Sequence, residues 1–87
     1  MQKEDAEKLG ILMMQINAQL DQSVAFVQDK GSESELKEYR LMAAQAMGRV
    51  VDILNSMYEE HPSLKPKQVG GTYEVDSKIF SNKFYQR

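Results

Sequence analysis

The stretch Lys30-Gly31-Ser32, with Glu35 three residues beyond Ser32, constrains this chain more than any other feature. A helix that ends needs a residue able to leave the helical conformation, and glycine at the position after the last turn does so without steric cost. A helix that begins needs its first N–H groups satisfied, and Ser followed three residues later by Glu supplies a capping box. Here the stop and the start are adjacent. Gly31 is therefore expected in the left-handed conformation, with a new helix starting at once. A connection this short makes the two helices antiparallel neighbours.

The flanking segments have the periodicity that this requires. Residues 4–29 contain no proline and a single glycine. Leu9, Met13, Ile16, Leu20, Val24 and Val27 recur at steps of three and four, which places them on one helical face. Glu4, Asp5 and Glu7 crowd the start and Lys30 closes the end, as the helix dipole favours. The second stripe is Leu36, Tyr39, Ala43, Met47, Val50, Leu54 and Met57. From Ala43 its steps alternate four and three, a heptad-like seam. His61-Pro62 ends it, because a residue before proline is pushed out of the helical region. The sequence thus predicts helices over about 4–29 and 33–60, a hairpin domain over 1–61 and a tail over 62–87. Leu20, Val50 and Leu54 are seam positions where an aspartate would bury an unpaired charge.

The tail has a different character. Pro62, Pro66 and Gly70-Gly71 break regular structure, yet four of the chain's seven aromatic residues lie here: Tyr73, Phe80, Phe84 and Tyr85. A free linker does not need them, so they are the candidate binding residues. Val75 and Phe80 around Asp76 have the spacing of a hydrophobic staple, predicting a short helix over about 77–85.

Two helices do not use all the apolar surface in the sequence. At 100° per residue, Met42, Ala46 and Ile53 flank one side of the second seam and Val51 and Tyr58 the other. The first helix carries a further patch of Ile11, Met14, Ala18 and Ala25. The expected architecture is all-α: a two-helix hairpin with an irregular tail, dimerising into a four-helix bundle. The rival cover is the aromatic tail folded back on its own hairpin, and a different protein is the third.

Charge and residue inventory limit the chemistry. Residues 1–61 hold 6 Lys/Arg against 11 Asp/Glu, and residues 62–87 hold 5 against 2. An acidic body is a poor nucleic-acid ligand, although the tail's lysines with interleaved aromatics leave a nucleic-acid-associated regulator as the alternative reading. There is no cysteine, which removes disulfides, thiolate metal sites and thiol nucleophiles. The single histidine, His61, precedes a proline at a helix end and has Tyr58 rather than an acid three residues before it, so a helical Glu-x-x-His metal motif is absent. It reads as a residue capping helix carbonyls. Glu59 and Glu60 point to different faces and are not a catalytic pair. Gly70-Gly71 lacks the lysine of a phosphate-binding loop and reads as a turn. No enzyme, cofactor or metal is expected from this set. The charged start and the absence of a long apolar run predict neither leader nor membrane span, and a cytoplasmic protein. Six methionines among 87 residues suit either core filling or an adaptable binding groove.

The segment Met47–Pro66, MGRVVDILNSMYEEHPSLKP, resembles a stretch of small uncharacterised bacterial helical-hairpin proteins, in which a helix ends in an acidic-His-Pro-x-Leu-x-Pro pattern. The resemblance covers about a quarter of the chain and implies a bacterial source and no catalytic residue. The overall plan is also similar to immunity proteins of contact-dependent bacterial toxins, some of which are acidic helical-hairpin dimers. Taken together, these features predict a non-enzymatic protein–protein interaction module that homodimerises, of which a toxin-neutralising immunity protein is the most concrete form.

Overall fold

A computed structural model describes residues 1–86. Helix α1 spans Lys3–Lys30 and helix α2 spans Glu33–Glu60. These bounds lie within a residue of those read from the periodicity. The capping box is formed: Glu35 N–H donates to Ser32 Oγ at 3.1 Å, and Ser32 N–H donates to Glu35 Oε1 at 2.9 Å. Hydrogen bonding to the Glu35 carboxyl from the Ser32 backbone N–H, and secondarily from the Ser32 side chain, holds it below its ordinary pKa.

The turn itself differs from expectation at one residue. Gly31 is extended, with φ −98° and ψ 176°, not left-handed. Two residues leave no room for a left-handed cap before Ser32 must start the next helix. Glycine is still favoured there, because an added Cβ would sit 3.0 Å from the Val27 carbonyl oxygen and 3.3 Å from Val27 Cγ1. The Gly31 N–H donates to that carbonyl at 2.7 Å.

A buried cluster lies at the open end of the hairpin. Ala6, Met57 and Leu64 are buried together, with Leu9, Tyr58 and Tyr73 against them. Gly10 is buried in α1 and lets the Met57 and Leu54 side chains approach the helix. Of the seam positions, Leu54 is buried, while Leu20 and Val50 are half-buried. Nearer the turn the contact is more polar. Asn17 Nδ2 lies 3.5 Å from the Met47 carbonyl, and Asn17 Oδ1 is buried with no partner. The Tyr39 hydroxyl donates to Ser23 Oγ at 2.7 Å.

The tail leaves α2 through short 3₁₀ turns at Pro62–Leu64 and Lys67–Val69. It then loops round so that Tyr73 lies beside Pro66 in a parallel bridge. Tyr73 N–H donates to the Lys65 carbonyl and Lys67 N–H to the Tyr73 carbonyl, both at 3.0 Å. Gly70 takes the left-handed conformation with φ 91° at this bend. Gly71 passes so close to the Lys65 backbone that a Cβ would lie 1.9 Å from its carbonyl oxygen. The turn read at Gly70-Gly71 is therefore present, and each glycine has its own reason.

From Tyr73 onward the chain runs along α1, in the same direction as that helix. The Tyr73 hydroxyl meets Glu7, the Ile79 carbonyl accepts from Gln15, the Asn82 carbonyl accepts from Gln19, and Phe84 N–H donates to Gln22 Oε1. The tail folded back on its own hairpin is thus realised. The short helix expected over about 77–85 is reduced to a 3₁₀ turn at Ser77–Phe80. Asp76 does act as its cap, accepting from Lys78 N–H at 2.9 Å. The turn ends at Ser81, whose N–H donates to the Lys78 carbonyl, and beyond it the Phe84 and Tyr85 amides donate to the Gln22 side chain instead of continuing a helix. The whole is elongated, 44 × 24 × 21 Å.

Candidate functional site

The start of the tail packs at the end of α2 and its later part runs along α1, and an open trough lies between α2 and the tail with Met14 of α1 in its wall. Its volume is about 610 Å³. Met14 of α1 lines it, and α2 contributes Val51, Leu54, Asn55 and Tyr58. The tail supplies Lys65, Pro66, Gln68 and Val69 from its loop, with Val75 and Phe80 further along. Lys65 is the sole charged residue among them.

Local structure explains each wall. Val51 and Tyr58 are seven residues apart, two helical turns, and so share one flank of α2. The tail loop is held by the Gly70 bend and by the Gly71 contact with Lys65, which together present Val69 at the rim. Val69 is 58% exposed. Burial raises the Tyr58 hydroxyl above its ordinary pKa. Among the described residues, no group of His, Asp or Glu side chains gathers in the walls of the trough. The trough can exclude water from an apolar segment laid into it, with Asn55 and Gln68 available as hydrogen-bonding groups.

The four aromatic tail residues do not converge on one site. Tyr73 packs on the core, and its hydroxyl donates to Glu7 Oε2 at 2.7 Å. That bond, with burial and the charges of Glu7 and Asp76, pushes its pKa up to about 12. Phe80 lies in the trough wall. Phe84 and Tyr85 are well away along α1, each meeting the edge of Phe26 with ring centroids 5.4 and 5.2 Å apart. The Tyr85 hydroxyl donates to Asp29 at 2.6 Å, and Phe84 remains 58% exposed. Of the four, Phe80 alone reaches the trough. The trough also takes Met14, Val51, Val69 and Val75, which no aromatic or charge signal in the sequence marks as binding residues. The available signal was the surplus flank of α2 and the valines on either side of Gly70-Gly71.

His61 is the C-cap of α2, as its place before Pro62 predicts: its backbone N–H donates to the Met57 carbonyl at 2.8 Å, and its ring Nε2 lies 3.0 Å from the Met1 carbonyl. Lys67 is engaged by Glu74 at 2.9 Å. Among the described residues, no three His, Asp or Glu side chains come together, and no helix is long and apolar enough to cross a membrane. No protein-family model matches the chain, and no curated protein or solved structure does.

Proposed function

We propose that this chain is a non-catalytic protein-binding module, homodimeric through its hairpin, whose trough takes an apolar segment of another protein. The observation that carries this reading is the trough itself: about 610 Å³ of space between α2 and the tail, walled by aliphatic and aromatic side chains with one charge. A toxin-neutralising immunity protein is its most concrete form, supported by the acidic hairpin and by the resemblance of the plan. The nucleic-acid alternative has less support. Lys67 is occupied by Glu74, and the hydroxyls of Tyr73 and Tyr85 sit against Glu7 and Asp29, beside carboxylates that repel a phosphate backbone.

The test is affinity capture on the immobilised full chain, in parallel with Val51→Glu and Val69→Glu. A protein held in stoichiometric amount by the wild type and released by both variants supports the reading. A protein held equally by all three places binding elsewhere. Recovery of nucleic acid, lost at raised salt, overturns it in favour of the alternative.

A further inference from the structure

The hairpin has a second apolar face, on the side opposite the trough, and we infer that a second copy of this chain covers it. On α2, Met42, Ala46, Val50 and Ile53 follow at steps of four, four and three, on the flank that does not meet the trough. On α1, Leu9, Leu12, Ile16 and Leu20 follow at three, four and four. Leu12 lies about 200° around the helix from Met14, which lines the trough. In an antiparallel pair these two rows fall on the same side of the hairpin. Neither row contains a charged residue. Three members stand out into solvent: Leu12 is 47% exposed, Met42 54% and Ile53 44%.

The area identifies the occupant. The chain exposes 6336 Å². A compact monomer of its mass, 10.0 kDa, exposes about 5,200 Å², so the excess is roughly 1,100 Å². A standard interface removes about 800 Å² from each partner. A face about 40 Å long and two helices wide, with axes about 10 Å apart, offers an area of that size. The molecule is also extended, with a radius of gyration of 14.6 Å against about 12 Å for a compact chain of this length. Two such hairpins laid face to face make a closed four-helix bundle, in which each copy covers the same rows on the other. The tail borders this face, since Ile79, Phe80 and Asn82 stand beside Leu12 and Ile16, and it would flank the interface. This inference rests on the self-association named above and is independent of what enters the trough.

The experiment is light scattering with sedimentation velocity on the full chain and on Ile53→Lys, Met42→Lys and Val51→Lys, with helicity checked by circular dichroism. All three positions are exposed in the single chain, so the variants should keep their helices. The wild type and Val51→Lys are expected at twice the chain mass. Ile53→Lys and Met42→Lys are expected at the chain mass, with self-affinity weakened on the order of 100-fold or more by a charge placed in the interface. Should Ile53→Lys fail to fold, Met42→Lys carries the test alone, being the more exposed position. A wild type that stays monomeric at about 1 mM, a concentration that detects even weak pairing, overturns the dimer and this face together. A dimer dissociated by Val51→Lys and indifferent to the other two keeps self-association and overturns this face.

Discussion

Gly71→Ala should dislodge the tail, and the structure sets the size of the effect. The new Cβ would lie 1.9 Å from the Lys65 carbonyl oxygen, 2.4 Å from its carbonyl carbon and 2.7 Å from its Cβ. Two of those atoms are backbone, and no rotamer change relieves the clash. The segments 65–67 and 71–73 must separate, which gives up the bonds of Tyr73 N–H to Lys65, Lys67 N–H to Tyr73 and Gly71 N–H to Pro66. At about 1 kcal/mol each the loss is about 3 kcal/mol, before any loosening of Tyr73 against Glu7. The matched control is Gly70→Ala. It meets nothing within 4 Å, and its cost is the positive φ of 91° alone, about 1–2 kcal/mol. The assay combines thermal unfolding at 222 nm with amide hydrogen exchange at Lys67, Gly71 and Tyr73. If tail and hairpin unfold as one unit, 3 kcal/mol lowers the midpoint by roughly 12–24 °C. If the tail opens first, the midpoint moves little and those three amides lose their protection. An unchanged midpoint together with unchanged protection would refute the close approach of Gly71 to Lys65.

Four further outcomes are expected. Gly10→Ala places a methyl at ordinary contact, 3.5 Å from Met57 Cε and 4.0 Å from Leu54 Cδ2, and removes a helix-interior glycine; thermal unfolding should show stabilisation of up to about 1 kcal/mol, and a loss would mean the helices cannot give the space. Ser32→Ala removes the acceptor for Glu35 N–H and should cost about 1 kcal/mol in urea unfolding. Asn17→Leu removes a buried oxygen that has no partner, so the denaturation midpoint should rise; a fall would mean that the bond to Met47 outweighs it. The Tyr73 hydroxyl has its folded pKa raised to about 12, so its contribution to stability is fully present below the ordinary tyrosine value and is lost as pH rises through about 12. Urea midpoints measured across that alkaline range should fall more steeply for the wild type than for Tyr73→Phe, and equal slopes would contradict the bond to Glu7.

Much of the hairpin was legible because its signals are local. The Ser32–Glu35 box and the three-four spacing of apolar residues need no knowledge of distant chain, and both helices fall where they predict. Gly31 departs from the left-handed conformation its position predicts, since a left-handed cap and an immediate capping box compete for the same two residues. The tail was harder. Its 3₁₀ turn at Ser77–Phe80 does not continue as a helix, and Gln22, more than sixty residues earlier, takes the amides of Phe84 and Tyr85. Nothing in the local sequence announces that partner. The trough was illegible for the same reason: Val51 and Val69 become neighbours only because Gly71 folds against Lys65. The aromatic residues marked the tail as ordered, and they are spent largely on holding it to α1.

The most direct test of a protein-binding trough is photo-crosslinking from within it. A benzophenone amino acid is placed at Val69, on the rim, and for comparison at Ser56, on the outer side of α2, and each protein is irradiated in cells of the source organism. A receptor trough predicts one discrete heteromeric adduct from position 69 that is absent from position 56 and is lost when Val51→Glu is added. Adducts of equal yield from both positions, or from neither, contradict it.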